Sequence, residues 1–140
     1  MRDFEIIQFR RHMEALALEY FEPEEFLVHC NVKPNSYPPS ELWGRIDETA
    51  MILDVIRYEA KVPIRITSCY RNKEYNKKVG GTHFSRHLEF NAIDFQSDKM
   101  LAEDLHAIAL RLRRAGKFLG GLGKYSTFVH IDTRGHNASW

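Results

Sequence analysis

Cysteine is scarce in this sequence, and long apolar runs are missing. Only two cysteines occur among the 140 residues, Cys30 and Cys69. They match neither a paired CxxC metal pattern nor a disulfide framework, so we expect buried free thiols. No apolar stretch is long enough for a signal-peptide core or a membrane span. The sequence therefore predicts a protein synthesised in the cytoplasm without a signal peptide, and no membrane partner.

The sequence also lacks an excess of charge of either sign. The 20 Lys and Arg residues face 19 Asp and Glu residues, which leaves a formal net charge of +1. We expect no nucleic-acid partner, because proteins that bind polyanions typically concentrate positive charge. There is no internal repeat and no linker-like shift in composition. Residues 1–140 are therefore expected to form a single domain, and a monomer.

Two segments carry apolar residues at helical spacing. The first covers residues 41–60 and follows Ser40, a suitable N-cap. The second runs from Leu101 to Leu112, has arginines in its last turn and is expected to stop at Gly116. Arginine complements the negative end of a helix dipole, and glycine readily adopts the conformation that ends a helix. The pattern therefore predicts two helices.

Three short segments rich in β-branched and aromatic residues predict strands. They cover residues 62–69, 90–96 and 127–133. Strands and helices do not alternate strictly along the chain, which argues against a parallel, doubly wound sheet. The predicted fold class is α+β, with a small, largely antiparallel sheet and helices packed on one face.

Strand alternation suggests where titratable residues meet. Because successive side chains face opposite sides of a sheet, Asp94 faces away from its apolar neighbours. His130 and Asp132 share the corresponding face of the strand 127–133. Neutral imidazole and carboxylate are ordinary zinc ligands, and a catalytic zinc site typically has three protein ligands. His87, Asp94 and His130 could supply them, although by spacing alone they could equally be solvated or hydrogen-bonded polar residues.

Three stretches of the chain resemble the zinc murein peptidases. They are SCYR at 68–71, EYNKKVGGTHFSRHLEFNAIDF at 74–95 and GGLGKYSTFVHIDTRG at 120–135. The family includes D-alanyl-D-alanine carboxypeptidases and L-alanyl-D-glutamate endopeptidases, and shares its fold with the hedgehog signalling domain. The similarity spans roughly residues 20–135. It implies a hedgehog/DD-peptidase-like fold, and the FVHID form looks like a branch common in phage-encoded and bacterial wall-associated proteins.

The resemblance assigns roles to particular residues. The family motif SxHxxGxAxD departs at Phe90, where glycine is usual, and is otherwise matched by Ser85, His87, Ala92 and Asp94. The motif implies that zinc is bound by His87, Asp94 and His130. The family motif SxYR is matched by Ser68, Tyr70 and Arg71. Arg71 would stabilise the developing oxyanion, and Tyr70 would bind substrate. Ser85 would bind substrate or, alternatively, cap the turn that presents His87.

One departure from the family concerns the general base. Many members carry an acidic residue three positions before the third ligand, and some carry a histidine two positions before it. Here those positions hold Thr127 and Phe128, which cannot act as bases near neutral pH. Asp132 is the favoured catalytic substitute, followed by Glu89 and Tyr125. The alternative for Asp132 is to orient a metal ligand.

Two functions are consistent with these patterns. The first is a zinc metallopeptidase of the carboxypeptidase or endopeptidase type that cuts the peptidoglycan stem peptide. Its expected setting is a phage or prophage lysin, which reaches the cell wall by a lysis route or as a virion component. The second is a catalytically inactive, zinc-binding relative with a structural or wall-binding role.

Overall fold

A computed structural model describes residues 3–140 and shows a mixed sheet of five short strands. The strands are β1 (Arg65–Ser68), β2 (Ala92–Gln96), β3 (Gly121–Lys124), β4 (Val129–Asp132) and β5 (Ala138–Ser139). Their order is β1-β2-β4-β3-β5. The first three pairings are antiparallel, and β3 pairs with β5 in parallel. The predicted α+β class with a largely antiparallel sheet is confirmed.

Four α-helices accompany the sheet in the described part of the chain. They are α1 (Asp3–Glu14), α2 (Asp47–Ala60), α3 (Lys73–Lys78) and α4 (Ala102–Arg114). Short 3₁₀ turns cover Pro23–Leu27, Ser40–Ile46 and Arg86–Glu89. Helix α2 packs on α4, and α4 lies against β3 and β4. Among the described residues, no helix is both long and apolar enough to cross a membrane.

The helix predicted over 41–60 is divided in two. Ser40–Ile46 forms a 3₁₀ turn, and α2 begins only at Asp47. Gly44 weakens helix propensity in the first part, whereas acidic residues favour a helix start at Asp47. The second predicted helix is confirmed as α4. Gly116 follows it with a left-handed φ of 78°, as a helix-ending glycine should.

Four elements were not predicted: α1, α3, β3 and β5. Helix α3 has six residues and β5 has two, so neither is long enough to show a clear period. Strand β3 has the sequence GLGK, and glycine is a poor strand former. Its pairing with β4 and β5, rather than its own propensity, explains why this segment is extended.

The aliphatic face of the sheet forms the core, as the alternation predicted. Ile93, Phe95, Val129 and Ile131 are at most 1% exposed and belong to one cluster with Leu105 of α4. The two cysteines are buried and free, as expected. Burial raises the pKa of the Cys30 thiol to about 12, so this group stays protonated and inert near neutral pH.

A β-bulge in β1 changes which face its last residue occupies. Ile66 pairs with Phe95 on the core side, but the register then shifts and Ser68 pairs with Asp94. Without the extra residue, Ser68 would share the core face with Ile66, two positions earlier. The bulge therefore turns Ser68, and the chain that follows it, towards the polar face of the sheet.

Replacement of Leu105 tests the helix-to-sheet packing. The Leu105 side chain is fully buried, so Leu105→Ala should lower the free energy of unfolding by about 2–5 kcal/mol. Leu101→Ala is the matched control, because Leu101 is 71% exposed and its truncation should change stability by about 0.5 kcal/mol or less. Urea denaturation of both variants measures the difference, and equal effects would contradict the packing described.

Candidate metal centre

Three buried side chains converge on the polar face of the sheet. His87 lies in the 3₁₀ turn Arg86–Glu89, Asp94 in β2 and His130 in β4, directly opposite Asp94 in the antiparallel register. The Oδ1 atom of Asp94 lies 3.3 Å from Nε2 of His87 and 2.9 Å from Nδ1 of His130. One ligand atom from each residue lies within 4.8 Å of the other two. The predicted set of candidate ligands is therefore brought together in space.

Each imidazole has one ring nitrogen fixed by the surrounding fold. Nδ1 of His87 lies 2.6 Å from the carbonyl oxygen of Cys69, which can only accept a hydrogen bond. Nε2 of His130 lies 2.7 Å from Oδ2 of Asp132. These acceptors place a proton on the outer nitrogens and leave Nε2 of His87 and Nδ1 of His130 facing Asp94. This arrangement fits a metal ion, because ligating histidines usually donate their other N–H to a carbonyl or carboxylate.

The electrostatics of the cluster suit two of the ligand roles directly. Burial lowers the pKa of His87 and outweighs the opposing effect of Asp94, so this ring is neutral. Burial acts to raise the pKa of Asp94, but hydrogen bonds from His130 and His87 hold it well below its usual value. For His130, burial acts to lower the pKa, whereas hydrogen bonds to Asp132 and Asp94 raise it. A basic imidazole is a stronger electron donor to a metal.

Asp132 lies behind His130 rather than beside the groove. Its side chain is fully buried, and Oδ1 accepts hydrogen bonds from the backbone N–H of Gly121 and from Nε of Arg134, both at 2.9 Å. Oδ2 lies 2.7 Å from both Nη2 of Arg134 and Nε2 of His130. A carboxylate with these partners has no free edge towards substrate. The catalytic role expected for Asp132 is therefore replaced by the alternative, orientation of His130.

Arg71 lies beside Asp94 in a framework of hydrogen bonds. Its Nη2 is 3.6 Å from Oδ2 of Asp94, and its side chain is 16% exposed. Nε donates to the hydroxyl of Ser68, and Nη1 donates to Oδ1 of Asn76, both at 3.2 Å. The backbone N–H of Arg71 donates to the carbonyl of His87. The bulged end of β1 thus holds a fixed positive charge next to the candidate ligands.

The two expected substrate-binding residues have different surroundings. Tyr70 is 8% exposed, packs edge-to-face on Phe90, and directs its hydroxyl to Ser36. It does not line the groove above the ligands, so the structure places it in the core instead of the substrate site. Ser85 does line that groove, and its hydroxyl accepts a hydrogen bond from the backbone N–H of His87. The capping role considered for Ser85 is therefore present.

A groove of about 620 Å³ opens above the ligands, and we call it the metal groove. It is lined by Arg71, Val79, Gly80, Gly81, Thr82, Phe84, Ser85, Arg86, His87, Asp94, Tyr125, Phe128, His130, Arg134 and Trp140. Asp94 is the one carboxylate among these described lining residues. A larger groove of about 730 Å³ runs beside residues 30–43 but contains none of the candidate ligands. We therefore assign the site by its chemistry rather than by cavity size.

A family model described as Peptidase M15 matches residues 19–132. The chain belongs to the peptidase M15 family. Membership supports a metallopeptidase and agrees with the resemblance to zinc murein peptidases. No curated protein and no solved structure matches the chain significantly.

The unusual residue in the M15 motif, Phe90, has a clear structural context. Its φ is 56°, a left-handed conformation that favours glycine and costs other residues of the order of 1 kcal/mol. The Phe90 side chain is fully buried and contacts the rings of Phe9 and Tyr70. Burial of a Phe side chain contributes about 1.5–3 kcal/mol, which offsets the backbone strain.

Sequence reasoning missed three residues of this M15 site. Arg134 continues the alternation of His130 and Asp132, so the same period could have revealed it. Asn76 is 4% exposed and joins Arg71 to the carbonyl of Thr82, but nothing in its neighbourhood distinguishes it in sequence. Trp140 lies with its ring centroid 5.0 Å from that of His130, a long-range contact that no local pattern indicates.

Substitution of Asp132 tests its role in orienting His130. Asp132→Asn removes the carboxylate that accepts from His130 and places an amide N–H₂ group against Arg134 or His130. Zinc affinity should fall about 10- to 100-fold, the usual effect of losing such a partner. Competition with a chromophoric chelator measures it. Asp98→Asn is the control, since the Asp98 side chain is 78% exposed, and equal zinc affinity in the two variants would contradict the assignment.

Gly81 should be essential for the position of Arg71. A Cβ atom at this residue would lie 2.0 Å from Oδ1 of Asn76 and 3.0 Å from Nη1 of Arg71. Gly81→Ala should therefore displace the guanidinium and reduce hydrolysis of peptidoglycan at least tenfold. Gly44→Ala is a matched control, because nothing lies within 4 Å of a Cβ there. Full activity of Gly81→Ala would show that Arg71 is not held in this way.

Proposed function

We propose that the chain is a zinc-dependent peptidase that hydrolyses an amide bond in the peptidoglycan stem peptide. The observation that carries the proposal is the buried cluster of His87, Asp94 and His130 at the base of a groove, in a chain of the peptidase M15 family. Two imidazoles and one carboxylate form a donor set typical of catalytic zinc, which leaves a further coordination position open.

The ligand roles can be assigned by atom. His87 would bind zinc through Nε2, His130 through Nδ1 and Asp94 through its carboxylate, because the remaining ring nitrogens already have acceptors. When bound at such a site, zinc acts as a Lewis acid and makes water a better nucleophile near neutral pH. Asp132 and Arg134 maintain the orientation of His130 during turnover.

Arg71 is the proposed electrostatic catalyst. Its guanidinium lines the metal groove and lies 3.6 Å from the Asp94 carboxylate. A guanidinium remains protonated at working pH and can donate to an oxygen on which negative charge develops. Because Ser68 and Asn76 already fix its orientation, little reorganisation is needed in the transition state.

The bond specificity and biological setting are the finer parts of the proposal. We propose either a D,D-carboxypeptidase or an L-alanyl-D-glutamate endopeptidase, since both act on the stem peptide. The setting as a phage or prophage lysin, or as a virion component, is supported by the sequence resemblance of the FVHID segment.

A second candidate function is a zinc-binding, catalytically inactive wall protein. One observation favours it: Asp94 is the sole carboxylate among the described residues of the metal groove, and it is a proposed ligand. Thr127 and Phe128 occupy the positions where many relatives carry a base. The fixed orientation of Arg71 favours the enzyme, because a merely structural site has no need of a positive charge beside the ligands.

Hydrolysis of purified murein, followed by mass spectrometry of the released fragments, tests the two functions. The zinc-loaded protein should release stem-peptide fragments whose masses identify the bond that is cut. Asp94→Asn removes an anionic ligand while preserving side-chain shape, so it should lose zinc and at least 99% of the activity, roughly the effect expected from loss of metal catalysis. The control is again Asp98→Asn, which should retain both.

The remaining outcomes separate the candidates. Stoichiometric zinc without fragments from several wall types would reject the enzyme and favour the structural role. Fragments that persist in Asp94→Asn, or after removal of zinc by a chelator, would reject the proposed metal centre.

A further inference from the structure

Two aromatic side chains form one wall of the metal groove and are not used by the roles assigned so far. Tyr125 is 41% exposed and Trp140 is 48% exposed, and both line the groove with the candidate ligands. The indole N–H of Trp140 lies 2.8 Å from the hydroxyl oxygen of Tyr125. The other side of the Trp140 ring system is close to His130, with ring centroids 5.0 Å apart.

The position of Trp140 depends on a glycine in β3. A Cβ atom at Gly123 would lie 2.6 Å from Nε1 of Trp140 and 3.0 Å from a ring carbon of Tyr125. Gly123 is also the residue paired with His130 in the sheet. The absence of a side chain at this one position therefore provides the space in which both aromatic residues sit beside a candidate ligand.

The two residues are held from other directions as well. The Tyr125 ring stacks on Phe128 at 4.3 Å with an interplanar angle of 8°, and its backbone N–H donates to the carbonyl of Phe128. The guanidinium of Arg134 lies 5.2 Å from the Trp140 ring, in cation–π geometry. Trp140 also exchanges backbone hydrogen bonds with β3. The pair is thus a fixed feature of the groove.

The direction of the hydrogen bond determines what Tyr125 can do. An indole N–H is only a donor, so the Tyr125 oxygen must be the acceptor. Among the described residues, Trp140 is the hydrogen-bond partner of this hydroxyl, and the O–H hydrogen of Tyr125 is left to donate elsewhere. By contrast, the hydroxyl of Ser85 in the same groove already accepts from the backbone of His87.

We propose that Tyr125 is a substrate-contacting residue, and that Trp140 orients it. Its hydroxyl donates a hydrogen bond to a carbonyl or carboxylate oxygen of the stem peptide bound beside His130. Such oxygens are the main acceptors on this class of substrate, and Tyr125 is a hydroxyl donor near His130 in a groove with few polar groups besides the ligands and arginines. The inference rests on the proposed peptidase function.

The test compares variants that remove single hydrogen-bonding groups but keep the aromatic rings. Tyr125→Phe preserves the stack on Phe128 and removes the hydroxyl, so kcat/KM on soluble stem peptide should fall about tenfold. Trp140→Phe removes the indole N–H that orients the hydroxyl and should lower kcat/KM about threefold. Tyr58→Phe is the matched control, because Tyr58 is 62% exposed on α2 and should leave kcat/KM unchanged.

A double variant distinguishes orientation from general loss of structure. If Trp140 acts through the Tyr125 hydroxyl, Trp140→Phe should cause no further loss in the Tyr125→Phe background. Zinc content and thermal midpoint should match wild type in each variant. Losses that multiply, or a drop in zinc content that accounts for the lost activity, would overturn the proposed pairing.

The remaining results separate this inference from the proposed function. Wild-type cleavage that is insensitive to Tyr125→Phe would overturn the role of Tyr125 and leave the peptidase function intact. Absence of cleavage by zinc-loaded wild type would overturn the peptidase function and, with it, the role of Tyr125.

Discussion

The antiparallel pairing of β2 with β4 is the constraint on which the site depends. It places Asp94 directly opposite His130 and puts Ile93, Phe95, Val129 and Ile131 on the core face. A shift of one residue in either strand would exchange the two faces, burying charged groups in the apolar core. The hydrophobic pattern therefore fixes the register, and the register fixes the distance between two of the three candidate ligands.

The rest of the centre depends on contacts that the sheet alone does not provide. The β1 bulge brings Ser68 opposite Asp94, and the segment after it supplies the Cys69 carbonyl that fixes the tautomer of His87. On the opposite side of Asp94, Asp132 fixes the ring of His130. Both imidazoles are therefore oriented by groups outside the ligand set, which reduces the entropy that binding a metal would otherwise cost.

The sequence predicts one part of this arrangement well because that part is periodic. Alternation in two strands suffices to pair Asp94 with His130, and the family motif adds His87. The displaced residues have no such signal. Tyr70 lies in a family motif yet is buried, because the bulge and the packing of Phe90 decide its direction. The contact of Trp140 with His130 depends on a parallel two-residue strand that leaves almost no trace in sequence.

Charge compensation explains how two buried carboxylates can lie so close together. An isolated buried charge is unstable, and two like charges would raise each other's pKa. Asp132 is instead matched by the guanidinium of Arg134, and Asp94 lies near Arg71, so both carboxyl groups keep a pKa well below the usual value despite burial. His130 lies between the two carboxylates and hydrogen-bonds both. The arginines thus have a structural task that precedes any catalytic one: they keep both carboxylates ionised, which a metal ligand and its orienting partner each require.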